Sequence, residues 1–221
     1  MNLPAELLPD WLMWPALLLA GVVWLWQLRG APWLLLGQNG LDHVYLGASL
    51  LLIGLWALSV GALLGLNVHL LGLTAMVLIF GWRLALVSGG AALLVLALVG
   101  VQDPMALGVN AWLTVILPVW VTHQLQRVVY RRLPHHLFVY LIVSAHFVSM
   151  VAIAVPIVLG GALLGWLGWY HWAELGREYW VFLPLVVLPE GFFNGAILTM
   201  LTIFRPQWVR SFDDREYLGE P

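Results

Sequence analysis

Seven apolar runs divide this chain, at about 11–28, 43–64, 67–82, 84–101, 107–125, 136–165 and 180–204. Most approach the ~20 residues that carry a helix across the hydrocarbon core of a bilayer. Only 9% of the 221 residues are charged and 62% are hydrophobic, whereas a soluble domain carries about 25% charged residues. So few polar side chains could not cover a water-soluble globule, and a backbone in lipid must pair its own N–H and C=O groups. Continuous runs, in place of alternating segments of about ten residues, select helices over a barrel. The expectation is an all-α, polytopic membrane helix bundle of about seven transmembrane helices, with 1–221 forming a single integral membrane domain.

The third and fourth runs are short and are separated only by Trp82 and Arg83. One unbroken helix through 66–101 would sink Arg83 to a depth where a charge costs about 3 kcal/mol or more. Two helices with Arg83 at the interface are therefore expected. With the N-terminus outside, Arg29, Arg83, Arg127, Arg131, Arg132, Arg205, Arg210 and Arg215 all fall on the cytoplasmic side. Arg177 alone falls outside, beside Glu174 and Glu178. That asymmetry is the positive-inside pattern. Residues 1–10 then form an external N-terminal segment and 205–221 a cytoplasmic tail. Trp11, Trp14, Trp166, Trp169, Trp172 and Trp180 gather at the outer interface, and Trp82 and Trp208 at the inner one, as in an aromatic belt. The opening MNLPAELLPD lacks the positive n-region of a signal peptide.

Several chemistries are excluded by composition. The chain has no cysteine, hence no disulfide or thiolate ligand. It has no lysine on which a retinal-type Schiff base could form. A net charge of −2 without a basic tract gives no nucleic-acid footprint. No phosphate-cradling GxxxxGK[ST] is present, so any ATPase must be a separate subunit. No HExxH suggests a metallohydrolase, and no enzyme activity is expected.

Polar residues inside apolar runs narrow the search. His123, His135 and His136 belong to the basic loop THQLQRVVYRRLPHH, and His171 to the outer loop. His43 follows Asp42 at a helix start, where Asp42 suits a cap. His69 begins the third run on its outer side, near Asn67, and Asn110 lies at similar depth on the fifth. Imidazole is the commonest metal-binding side chain and ligates while neutral. A free α-amine on the same face would add a second nitrogen donor. His146 and Glu190 each lie about ten residues into their spans, or about 15 Å deep at 1.5 Å per residue. Their matching depth makes them a candidate intramembrane polar pair. A carboxylate at that depth is by default functional.

The stretch NVHLLGLTAMVLIFGWRLAL, followed by QDPMALGVNAW, resembles the CbiM/NikM family. These are substrate-binding membrane components of energy-coupling-factor cobalt and nickel importers. The residues that carry the resemblance are His69, Leu70, Leu71 and Gly72, then Gly108 and Asn110, then Glu190 and Gly191 in PEGFFNG. It is best over about 60–120. The resemblance implies an N-terminal segment folded into the outer face of the bundle. There the α-amine, a histidine at position two and the helical histidine hold one divalent ion as substrate. Carried over, Met1 supplies the amine and His69 the imidazole, with Asn110 beside them. Position two is Asn2 here, a poorer ligand for late transition metals. The candidate metal set is thus Met1, Asn2, His69 and Asn110, for an ion of the cobalt or nickel class. The resemblance also implies a multi-pass protein of the bacterial cytoplasmic (inner) membrane, with a separate ATPase and a coupling membrane subunit as partners.

Two further functions are open at this point. Asn2 in place of histidine suits a non-transporting membrane assembly or scaffold protein on the same fold. A haem-binding electron carrier needs two imidazoles at one height, whereas His69 and His146 differ in expected depth by about 10 Å.

Overall fold

The computed structural model describes residues 2–37, 40–58, 60–63 and 66–219, with the backbone alone for 60–63 and 66. Helix α1 (Asp10–Gly30) is followed by α2 (Leu41–Ala57). An antiparallel hairpin of β1 (Val60–Leu63) and β2 (Leu66–Val68) comes next, pairing Val60 with Val68 and Gly61 with Asn67. Then come α3 (Leu73–Phe80), α4 (Trp82–Leu98) and α5 (residues 107–132). The bundle is completed by α6 (Val139–Trp166) and α7 (Trp172–Phe204), with the short α8 (Asp214–Tyr217) in the tail.

Three helices, α1, α6 and α7, are long and apolar enough to cross a membrane. On α1 the large side chains of Leu18, Val22 and Trp26 point out of the bundle and are 65–69% exposed. An outward apolar face of this kind is what a lipid solvent requires. The tryptophans expected at one interface do meet: Trp11 packs edge-on to Trp166 at 6.1 Å between ring centroids, and Trp172 lies 6.3 Å from Trp180.

The third run departs from the expected continuous span. Its helix has only eight residues, all buried, and residues 69–72 before it are not helical. Non-helical backbone at membrane depth is tolerated only where protein surrounds it, and here Val68, His69 and Leu71 are buried. The break before α4 lies at Gly81, not at Trp82 and Arg83, which open α4 itself. Gly81 takes φ +92°, ψ 157°; its N–H closes α3 on Val77 O and its C=O opens α4 from Ala85 N. Arg83 does stay at a helix end, where its Nη1 donates to Gly30 O at 2.6 Å, capping the last turn of α1.

An eight-residue helix is marginal alone, and lipid offers it no hydrophobic gain over protein contacts. Its ends decide its stability. Gly72, at φ +65°, turns the chain into α3, and no local side chain caps it. Side chains of α7 fill that role from 119 positions away: Asn194 Oδ1 accepts from Ala75 N at 2.8 Å, and Glu190 takes the N–H groups just before it. The other end is closed by the tail, where Arg210 N donates to Ile79 O and Ser211 N to Leu78 O, both at 3.1 Å. The helix α3 is thus a buried strut that joins the two ends of the bundle.

Close packing of α6 on α7 follows a simple spacing. His146 and Met150, one turn apart on α6, fill the places of the Cβ atoms missing at Gly195 and Gly191. At the other side of the bundle, a Cβ on Gly108 of α5 would collide with the backbone of Ala16 and Leu17 of α1. Trp112 closes this contact by donating from Nε1 to Ala16 O at 3.1 Å.

Candidate metal centre

The N-terminal segment is threaded into the end of the bundle where α1 begins. Asn2 N donates to Asn67 O at 3.1 Å, which adds residue 2 to the edge of β2. Asn110, fully buried near the start of α5, grips the segment from both sides. Its Oδ1 accepts from Leu3 N at 2.9 Å, and its Nδ2 donates to Asn2 Oδ1 at 2.9 Å and to Leu3 O at 3.0 Å. Asp103 holds the next turn, with Oδ2 accepting from Ala5 N at 2.9 Å and Oδ1 from Met105 N at 2.9 Å. Leu3 is sealed below this clamp at 0% exposure. Met1 lies outside the described residues.

Two residues beyond Asn67, His69 sits in the extended segment that precedes α3. It is 5% exposed. Its Nδ1 lies 3.1 Å from Leu70 O. A carbonyl only accepts, so the proton belongs on Nδ1 and the lone pair on Nε2. An imidazole whose other nitrogen is held by a backbone carbonyl is oriented as metal-ligating imidazoles are. The neutral ring is the form that ligates. Trp56 of α2 lies over the ring at 5.5 Å between centroids, tilted by 39°. The same indole donates from Nε1 to Leu71 O at 3.0 Å, so Trp56 positions both the ring and the turn after it.

Glu190 secures that turn. Its two oxygens accept from Leu71 N at 2.7 Å and Gly72 N at 2.8 Å, and Asn194 Nδ2 donates to Oε1 at 2.8 Å. Among the described residues three N–H donors and no acceptor face the carboxyl group, which is the complement of an ionised carboxylate. Placed before the first turn of α3, it also meets the positive end of the helix dipole. A Cβ at Gly72 would stand 3.3 Å from Leu52 Cδ2 and 3.4 Å from Phe193 Cε1, so the turn also needs a small residue for space.

The expected pairing of Glu190 with His146 is not formed. His146 Nδ1 lies 2.8 Å from Leu141 O, five residues back in its own helix. Val139–Phe147 winds in wider π turns, whose i→i+5 spacing brings the carbonyl of residue 141 to residue 146. His146 serves α6 and its packing on Gly195, while Glu190 serves the His69 turn. Asn2, Asn110 and His69 are brought to the same end of the bundle, and Glu190 joins them through the backbone of residues 71–72. Asn110 and the Asn2 side chain are engaged with each other in holding the segment. Trp56, Asp103 and Asn194 belong to the same structure and were not singled out from sequence. Among the described residues no three His, Cys, Asp or Glu side chains gather into a metal-sized cluster.

Comparisons with known proteins bear on the family and the fold. The CbiM family model, described as the cobalt uptake substrate-specific transmembrane region, matches residues 2–208. Among solved structures, one described as a transition metal transporter superposes with a TM-score of 0.75 at 16% identity, over 92% of this chain and 93% of its own. A truncated transition metal transporter gives the same TM-score and identity, over 92% of this chain and 99% of its own. At that identity the likeness is one of fold. No curated protein matches the sequence.

Proposed function

We propose that this chain, which belongs to the CbiM family of cobalt uptake substrate-specific transmembrane regions, captures one divalent ion of the cobalt or nickel class at the end of the bundle formed by its N-terminal segment. Family membership makes it a membrane component for uptake of a transition metal. The finer reading rests on one observation: the buried His69 ring, with Nδ1 held by Leu70 O, beside the point where Asn2 is sewn to Asn67.

In this reading Nε2 of His69 is the imidazole donor. The Met1 α-amine is proposed as the second nitrogen donor, as the family pattern implies. Asn110 and the Asn2 side chain act by fixing the path of the segment, and any oxygen donation to the ion comes from Asn2. Glu190, Asn194 and Trp56 keep the 69–72 turn in place. A set with fewer nitrogen donors than the family pattern holds its ion more weakly and leaves coordination positions to water, because amide oxygen is a poor ligand for late transition metals.

Membrane placement is proposed from the arginine asymmetry: seven crossings in a bacterial inner membrane, with the metal end outside. The extended 66–72 segment and α3 together make the third crossing. A separate ATPase and a coupling membrane subunit are the proposed partners, since this chain has no nucleotide-binding loop. Elemental analysis of the protein purified without chelator tests the capture reading. Wild type is expected to retain close to one cobalt or nickel per chain and His69→Ala far less, at equal folded yield. Asn2, whose Oδ1 is engaged by Asn110, favours the second reading of a scaffold on the same fold. Wild-type protein that stays metal-free in micromolar nickel or cobalt decides for it.

A further inference from the structure

The opposite end of the bundle holds a cavity of about 480 Å³. It lies at the far end of α1, whose 21 residues span about 30 Å, so it is separate from the His69 turn. Its polar lining comes from three regions: Arg83 on α4, His123 and Gln126 on α5, and Arg210 with Ser211 in the tail. Among the described residues no Asp or Glu lines it. The size is that of a small-molecule pocket.

The two guanidiniums are seated with care. A Cβ on Gly30 would stand 2.9 Å from Arg83 Nη1, and one on Gly81 would stand 2.9 Å from Arg210 Nη1. Each arginine thus lies where glycine leaves room. Among the described residues neither has a carboxylate within 4.0 Å; Asp42 with His43 is the only such pair. Arg83 has one nitrogen on Gly30 O and its guanidinium over the Trp82 ring, 5.2 Å from the centroid. Among the described residues Gln126 Oε1 is buried without a hydrogen-bond partner. Turned over, which keeps the amide's shape, that position carries an NH2 donor. An adjoining cavity shares His123, Gln126, Arg210 and Ser211 and adds Arg127, Arg131, Asp213 and Glu216; among the described residues neither carboxylate comes within 4.0 Å of a guanidinium.

We propose that this cavity binds a phosphate-bearing anion, with Arg83 and Arg210 on its oxygens and His123 and Gln126 completing the shell. Arg83 is half-buried and Arg210 exposed, and two guanidiniums lining one cavity, with no carboxylate within 4.0 Å of either among the described residues, make a positive field that attracts an anion. Guanidinium forks match phosphate and carboxylate alike, but two forks, an imidazole and an amide present more donors than the two oxygens of a carboxylate accept. A tetrahedral phosphate uses them. The same charge repels a bare divalent cation, so this cavity is not a resting place for the imported ion. Lipid headgroups and free phosphate share the chemistry, and basic pockets between membrane helices are known headgroup sites.

Native mass spectrometry of the full-length protein in detergent tests the proposal, with titrations of inorganic phosphate, phosphatidylglycerol and phosphatidylcholine. Wild type is expected to bind phosphatidylglycerol or phosphate. Binding should weaken roughly tenfold or more in Arg83→Gln/Arg210→Gln and recover in large part in Arg83→Lys/Arg210→Lys. Phosphatidylcholine should not discriminate among the three. Tighter phosphatidylglycerol than phosphate assigns the anion to a lipid; equal affinity assigns it to free phosphate. Equal binding by wild type and the glutamine pair overturns the proposal, as does wild type that takes only an Asp/Glu-rich peptide. Should the glutamine pair fail to fold, hydrogen exchange of wild type decides: added phosphatidylglycerol or phosphate protects residues 78–83 and 206–211, or the proposal fails.

Discussion

Replacing Glu190 by glutamine keeps the size of the side chain and changes only what its oxygens can accept. In the native turn both oxygens accept backbone N–H groups, at 2.7 and 2.8 Å. Glutamine must place an NH2 against one of these donors. One charge-assisted bond, worth about 1.5–3 kcal/mol, is lost, and a buried donor left without a partner costs about 1–3 kcal/mol. A loss of about 3 kcal/mol is the working figure. The turn carries His69 two residues earlier, so an ion that needs the ordered turn must supply that free energy on binding. Affinity for nickel or cobalt should then fall by up to about 100-fold. The assay is calorimetric titration of nickel into detergent-solubilised Glu190→Gln and wild type, paired with thermal unfolding of the metal-free proteins. A lower melting temperature together with weaker binding fits the account. Binding of wild-type strength in a protein that melts lower would make Glu190 a fold lock with no bearing on the ion, and the reasoning would be refuted.

Asn110→Ala removes three bonds to residues 2 and 3. At about 1 kcal/mol each, the N-terminal segment should detach, read as faster hydrogen exchange of the Leu3 amide and loss of bound metal. Trp56→Phe keeps the apolar contact with His69 but loses the indole bond to Leu71 O. A modest loss of about 1 kcal/mol in stability and a several-fold weaker metal affinity are expected. Gly108→Val drives a side chain into the backbone of α1 at Ala16 and Leu17, so it should lower the melting temperature more than any of these changes. Protons compete with the ion for nitrogen donors. Metal retention should therefore decline as pH is lowered from neutral toward 5, and a flat profile would exclude imidazole and amine ligation.

Hydropathy made the membrane bundle legible because long apolar runs have few other solutions. It could not show that residues 66–72 are extended while 73–80 are helical, since both are apolar and the difference is made by partners more than 100 residues away. Glu190 stood out as a deep carboxylate, and depth matching suggested His146. Its real partners are the amides of Leu71 and Gly72, and a backbone N–H carries no mark in a sequence. Asn194 had a signal in its spacing, four residues after Glu190 and on the same helix face. Trp56 had none, being one apolar residue among many in α2. The break lies at Gly81, one residue before the Trp82–Arg83 pair, because the φ of +92° that ends α3 belongs to the glycine.

The position of the ion is the claim on which the transport account stands. Anomalous diffraction at the nickel or cobalt edge, on crystals grown with the metal, measures it directly. One peak per chain is expected about 2.0–2.2 Å from His69 Nε2, in line with metal–imidazole bonds, and no peak there in His69→Ala. A peak elsewhere in the bundle, or the same peak in the variant, would contradict the account.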